Sequence, residues 1–193
     1  MKNLPHAFLS WLPLAVAIVF IYGFTYLAIQ QYIRLSANEI LVQYAEGTKE
    51  RIEKGAPLLH AITGLEPVDM QKSLSPFVII YDKAGTVQTS SATLHGIAPK
   101  LPAGVFAKAM QNGENRRTWQ PETGIRNAIV VIPYAITGQE GFIVAGRSLR
   151  EIEKREQFLR IQIAIGTITT LIATYAIVLI IHITRRRIMQ MPK

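Results

Sequence analysis

Residues 161–184, IQIAIGTITTLIATYAIVLIIHIT, contain no Asp, Glu, Lys or Arg. A second uncharged run, residues 4–33, lies near the other end of the chain, and all 13 carboxylates fall from Glu39 to Glu156. At about 1.5 Å per residue, a helix over 161–184 reaches about 36 Å, which exceeds the roughly 30 Å of a bilayer's hydrocarbon core. We therefore predict transmembrane helices at residues 8–30 and 161–184, with a water-exposed domain between them.

Two other interpretations of the uncharged runs are less favourable. Helices buried in a large globular protein show the same composition, but a chain of 193 residues has too little protein to cover two of them all round. A cleaved signal peptide has an apolar core of about 7–15 residues, and residues 25–31 offer no small-x-small cleavage site. We expect the first run to be an uncleaved signal anchor.

The charged flanks predict the orientation. Arg185, Arg186 and Arg187 follow the second run and Lys2 precedes the first, so residues 1–7 and 185–193 are expected to be cytoplasmic. The location is then the inner (plasma) membrane, with an extracytoplasmic domain. Although the net charge is +8, residues 34–160 carry 16 basic against 13 acidic side chains, so much of the excess lies at the two ends. We expect no nucleic-acid partner.

The intervening segment reads as one domain between two helical stalks. Ile33, Ala37, Ile40, Leu41 and Tyr44 recur at helical spacing, which predicts a stalk helix over residues 31–55. The domain, residues 56–148, has a strand at 77–81, a turn at 82–85 and a strand at 86–91. A helix at 102–112 stops at Gly113, and strands at 116–120, 126–136 and 141–149 follow. The pattern of residues 149–160 predicts a second stalk helix, which leads from the domain to the second transmembrane helix.

This order resembles the single-Cache family of PAS-like extracytoplasmic sensor domains found in bacterial histidine kinases and chemoreceptors. The likeness is carried by residues 75–85, SPFVIIYDKAG, and residues 141–153, GFIVAGRSLREIE. It implies an α+β fold with a five-stranded antiparallel sheet between two transmembrane helices. It also implies a small ligand, a homodimer formed through the stalks, and signal transduction.

The chain departs from such receptors in one respect. Nine residues follow position 184, which leave no room for a cytoplasmic output module, so signalling is expected to need a separate protein. The sequence leaves open a second function, that of an envelope scaffold or assembly factor that holds a protein partner through a sheet edge.

Six side chains are candidates for a ligand site, such as one for a small carboxylate. Arg126 and Tyr134 stand on one face of the 126–136 strand, where they could together bind a carboxylate. Alternatively, Arg126 lies at a solvated strand end and Tyr134 is a ring of the core. Trp119 and Arg117 share one face of another strand. They could form an aromatic wall with a cation beside it, or Trp119 could simply pack in the core. The other two candidates are Arg147, which could instead cap carbonyls or pair with an acid, and Tyr81.

No enzymatic activity, metal or cofactor is expected. His6, His60, His95 and His182 show no ligand spacing such as HxxxH, and the chain has no cysteine. There is no Walker loop, GxGxxG run or GxSxG elbow.

Overall fold

The structure is a computed structural model that describes residues 4–136 and 138–189. Lys2 and Lys193, which belong to the expected cytoplasmic flanks, lie outside the described residues. Two compact units make up the chain. The first consists of the segments up to Tyr32 and from Lys154, and the second is Ile33–Glu153. The helices are α1 (Leu4–Glu53), α2 (Leu58–Ala61), α3 (Ala103–Asn112) and α4 (Arg150–Met189).

Two of these helices are long and apolar enough to cross a bilayer. They run over Ala7–Glu53 and Arg150–Arg187, each with a mean hydropathy of 2.2 in its most apolar window. Large apolar side chains such as Phe20, Ile172 and Ile180 are exposed along them. Exposed apolar surface of this extent is typical of a membrane or protein contact.

Within the first unit, the two helices are joined by polar and aromatic contacts. Trp11 Nε1 donates a hydrogen bond to Thr174 Oγ1 at 3.0 Å, and the hydroxyls of Tyr22 and Thr170 are 3.0 Å apart. A Cβ added at Gly166 would lie 3.0 Å from the Tyr22 ring. These contacts pair early positions of α1 with late positions of α4, so the helices pack antiparallel.

The second unit is built on an antiparallel sheet of five strands in the order β3-β2-β7-β6-β5. Its strands are β2 (Phe77–Asp82), β3 (Val87–Ser90), β5 (Asn115–Glu122), β6 (Ile125–Ile136) and β7 (Gln139–Ser148). The predicted α+β fold with a five-stranded antiparallel sheet is confirmed. The sequence did not predict the parallel pair formed by β1 (Val68–Asp69) and β4 (Ala92–Thr93).

The helix and turns around this sheet follow from local sequence. Helix α3 begins after Pro102 and ends at Gly113, whose φ of 76° is the left-handed conformation that glycine adopts without strain. Gly85, at φ 82°, closes the turn between β2 and β3. These elements lie where the proline and glycine pattern predicts them.

Both faces of the sheet are covered. Even-numbered residues of β2 and β6, among them Val78 and Val130, pack with Leu41, Ala45 and Ile52 of α1. Odd-numbered residues of the same strands pack with α3 and the 94–102 loop; they are Phe77, Ile79, Tyr81, Ile129 and Val131. The period of two along each strand sends alternate side chains to the two layers.

The contacts of α1 show what covers the apolar stripe of the predicted stalk helix. Leu41 and Tyr44 belong to this stripe; Leu41 is fully buried and Tyr44 packs against the sheet of its own chain, so neither is available to a second copy. Ile40 is exposed instead. Helical spacing identifies an apolar face without saying what covers it, and here the covering surface is the sheet.

Candidate functional site

The six candidate side chains are divided between the two faces of the sheet. Three of them, Arg126, Tyr134 and Arg147, belong to the face that packs on α1. Arg126 and Tyr134 are even-numbered residues of β6, as are the β6 residues that contact α1, and Arg147 pairs with one of these, Ala128. Tyr81, Trp119 and Arg117 belong to the opposite face. The fold therefore does not bring the six together into one site.

Arg126 and Tyr134 share a face but stand eight residues apart on β6. At about 3.3 Å per residue the separation is about 26 Å, so one small carboxylate cannot contact both. Arg126 forms an ion pair with Glu153. The Tyr134 ring is buried, and burial, followed by the charge of Asp82, raises the pKa of its hydroxyl. Arg126 is thus a residue at a solvated strand end, and Tyr134 contributes its ring to the core.

Tyr81 and Arg147 have other surroundings. The Tyr81 hydroxyl donates a hydrogen bond to the Pro99 carbonyl at 2.8 Å, and burial raises its pKa strongly. It thereby fastens the 94–102 loop to the sheet. Arg147 Nε is buried and has no hydrogen-bond partner among the described residues. Among the described residues, Arg147 also makes no ion pair with the Asp or Glu that the sequence suggested as an alternative partner.

The 94–102 loop and the end of β5 line an open cleft of about 610 Å³. We call it the Trp119 cleft, after its largest buried side chain. Its lining is mainly apolar, with Ile97, Pro99 and Pro121 among its members, and its charged groups are Lys100, His95 and Glu122. Its volume lies within the roughly 300–1,000 Å³ of small-molecule sites.

Hydrogen bonds hold one rim of the Trp119 cleft. His95 Nε2 lies 2.8 Å from a Glu122 carboxylate oxygen, and the Gln71 amide nitrogen lies 3.2 Å from the His95 ring. His95 has a φ of 54° and precedes Gly96 in the tight turn between Leu94 and Ile97. The loop that forms this rim is thus tied to both β5 and the residues after β1.

Lys100 is the unpaired charge at this cleft. It is exposed, and within residues 4–136 and 138–189 it makes no ion pair, whereas His95 and Glu122 neutralise each other when the histidine is protonated. An ammonium beside an apolar wall suits a ligand that carries a carboxylate and an apolar body.

Two further residues lie near Trp119 on the same face of the sheet. Arg117, two residues before it on β5, is exposed and, in the described ranges, has no acidic partner. Asn127 stands directly opposite Trp119 on β6, is 1% exposed, and its Nδ2 makes no hydrogen bond to a described residue. Sequence reasoning missed Asn127, although an amide inside an otherwise apolar strand was the available indication.

The described side chains offer no metal site: no group of three or more His, Asp or Glu lies close enough to hold an ion in the part of the chain that the structure describes. The chemistry of the Trp119 cleft is that of binding, through apolar contact, one free ammonium and a hydrogen-bonded rim.

Comparison with known proteins finds similarity among solved structures alone. No protein-family model matches the chain, and no curated protein matches it. Among solved structures, it is similar to the ligand-binding domain of the Pseudomonas aeruginosa PAO1 amino acid chemoreceptor PctC in complex with GABA, with 18% identity and a TM-score of 0.42. The match covers 71% of this chain and 62% of that chain.

Proposed function

We propose that this protein is a membrane-anchored sensor whose extracytoplasmic, PAS-like domain binds a small solute with a carboxylate in the Trp119 cleft. The observation that carries the proposal is this cleft of about 610 Å³, whose mainly apolar lining includes the unpaired Lys100. The domain that contains the cleft lies in sequence between two helices of membrane-spanning length. The sequence resemblance to single-Cache domains agrees with this reading.

The proposed topology has both termini in the cytoplasm of a cell with an inner (plasma) membrane. The support is the basic flank at Arg185–Arg187, together with the uncharged lengths of both spans. Because the chain has no cysteine, single-cysteine labelling of cells tests it directly. A membrane-impermeant maleimide should label Gln88→Cys in intact cells and Met189→Cys only after lysis. The reverse pattern would reject this topology.

Signalling in this proposal depends on differential affinity. A ligand shifts a two-state equilibrium by about 1.4 kcal/mol for each tenfold preference between the states. Helices α1 and α4 leave the domain without a break, so shifts of roughly 1–2 Å along them are a sufficient output if another membrane protein reads them. Homodimerisation is part of the proposal, through surfaces other than the buried Leu41.

Ligand binding is tested on the full chain in nanodiscs. The Trp11→Phe variant leaves Trp119 as the one tryptophan, so fluorescence-detected melting reports the domain and its cleft. Small carboxylates, amino acids and amines are screened for a rise in melting temperature. Lys100→Met should weaken a carboxylate ligand by up to about fivefold, the effect of an exposed ion pair. Lys108→Met, on exposed α3 surface, is the matched control. Equal shifts in both variants would reject the assigned site.

The scaffold alternative is less well supported by the sheet edges. Edge strand β5 carries Arg116 and Arg117, contains Pro121 and has a register shift after Trp119, while the other edge strand, β3, has four residues. Charges, proline and irregular pairing are features that discourage strand addition. We therefore favour solute binding.

A further inference from the structure

A second cleft, of about 360 Å³, opens between the last turns of α1 and the β6–β7 hairpin. We call it the Tyr134 cleft. Its apolar floor includes Pro133, Phe142 and Met110, and its polar lining consists of Lys49, Glu53, Lys83, Glu140 and Tyr134. All of these residues belong to the second unit.

The Tyr134 hydroxyl is the first indication that this cleft binds a ligand. Tyr134 is 4% exposed, yet its hydroxyl has no hydrogen-bond partner among residues 4–136 and 138–189. It lies over Gly141, where an added Cβ would be 3.0 Å from the hydroxyl oxygen, and both residues line the cleft. The glycine allows the Tyr134 ring to lie this close to β7, and the hydroxyl of an otherwise buried side chain is left at the surface of the cleft with its hydrogen-bonding capacity unused.

The charges around the cleft indicate the ligand's chemistry. Lys83 and Glu140 satisfy each other, with Nζ donating to a carboxylate oxygen at 2.7 Å. Lys49 and Glu53, one turn apart on α1, form a loose ion pair at 3.9 Å, which is beyond hydrogen-bonding distance, so each keeps its hydrogen-bonding capacity for a ligand. One cation and one anion therefore face the cleft without a hydrogen bond between them. A ligand with a single charge would satisfy only one of the two.

We propose that the Tyr134 cleft is a second binding site, separate from the Trp119 cleft, for a small zwitterion. The ligand's ammonium pairs with Glu53, its carboxylate accepts hydrogen bonds from Lys49 and the Tyr134 hydroxyl, and its apolar body lies on Pro133 and Met110. Because the ligand contacts α1 and the sheet together, occupancy holds the end of the stalk helix against the sheet.

The probe is norvaline, with pentanoate and butylamine as relatives that lack the ammonium and the carboxylate respectively. Binding is measured by calorimetry on the full chain in nanodiscs, in a Lys100→Met background that weakens carboxylate binding at the Trp119 cleft. Norvaline should bind, and each relative should bind at least tenfold more weakly. Variants of Tyr134 and Glu53 assign the binding to the Tyr134 cleft, whereas failure of the Trp119 cleft would be seen in the melting screen with Lys100 intact.

Three variants test the assigned contacts. Tyr134→Phe retains the ring and removes the hydroxyl, so norvaline affinity should fall about three- to tenfold, as for the loss of one hydrogen bond. Glu53→Gln should remove the preference for norvaline over pentanoate. Lys54→Gln, which alters a helix-end lysine paired with Glu50 outside the cleft, should leave affinity unchanged.

Four results would overturn the proposal. The first two are an absence of norvaline binding at concentrations on the order of 10 mM and equal affinity for norvaline and pentanoate. The other two are an unchanged norvaline affinity in Tyr134→Phe and a loss of affinity in Lys54→Gln equal to that in Tyr134→Phe. A circular dichroism spectrum of each variant that matches the parent ensures that lost affinity is not lost folding.

Discussion

Replacing Gly146 with alanine tests the packing of the central strand pair. Gly146 lies on β7 between Phe77 of β2 and Ile129 of β6. An added Cβ would be 2.4 Å from Phe77 Cζ and 3.0 Å from Ile129 Cγ2, well inside van der Waals contact. The Phe77 ring is 1% exposed and cannot swing into solvent. Inserting a methyl group into a packed core costs about 1–3 kcal/mol.

That cost converts into a measurable melting shift. For a unit of about 120 residues, 1 kcal/mol corresponds to roughly 3–5 °C, so Gly146→Ala should melt about 3–15 °C lower. Trp119 fluorescence in the Trp11→Phe background is the assay. Gly104→Ala is the control, because a Cβ at this helical position meets nothing within 4 Å and should be neutral or slightly stabilising.

A second substitution tests the cause of the Gly146→Ala effect. Phe77→Leu removes the ring that the new methyl group meets, so the double variant should be more stable than the two separate losses predict, by about 0.5–3 kcal/mol. A Gly146→Ala melting temperature within about 1 °C of the parent, or strict additivity with Phe77→Leu, would refute the close approach of this ring to β7.

Three further predictions concern stability. Leu41→Ala should lose about 2–5 kcal/mol in urea unfolding because Leu41 is fully buried between α1 and the sheet, whereas exposed Ile40→Ala should lose much less. Gly113→Ala should cost about 1 kcal/mol in the same assay, because alanine is strained at φ 76°. Because the pKa of Tyr81 is raised in the folded state, its contribution to stability is complete below the unfolded pKa of about 10. As pH rises above that value, the free energy of unfolding should fall by up to about 1.4 kcal/mol per pH unit. Tyr81→Phe should remove this part of the decrease between pH 9 and pH 11.

Short-range patterns predicted the elements of this fold well. The proline and glycine at either end of residues 103–112 define α3, and Gly85 defines the β2–β3 turn. Alternation along β6 correctly placed Arg126 and Tyr134 on one face. Each of these inferences depends on interactions within a few residues, where spacing and conformational preference act directly.

The candidate site was less predictable because it depends on positions far apart in sequence. Trp119 was singled out, but its cleft is completed by the 94–102 loop, which Tyr81 fastens through Pro99. Asn127 becomes a candidate only because its partner across the strands is Trp119. Register and loop closure set these neighbours, and neither can be read from one strand's period.

The sequence by itself determined the two uncharged lengths near the chain's ends and the order of helices and strands between them, since hydropathy and turn chemistry act locally. Only the tertiary structure decided that α1 covers one face of the sheet with Leu41 and that two clefts form from separate sets of segments. The physical reason is that a residue's periodicity fixes the direction of its side chain relative to its own backbone, whereas what meets that side chain depends on how distant segments pack.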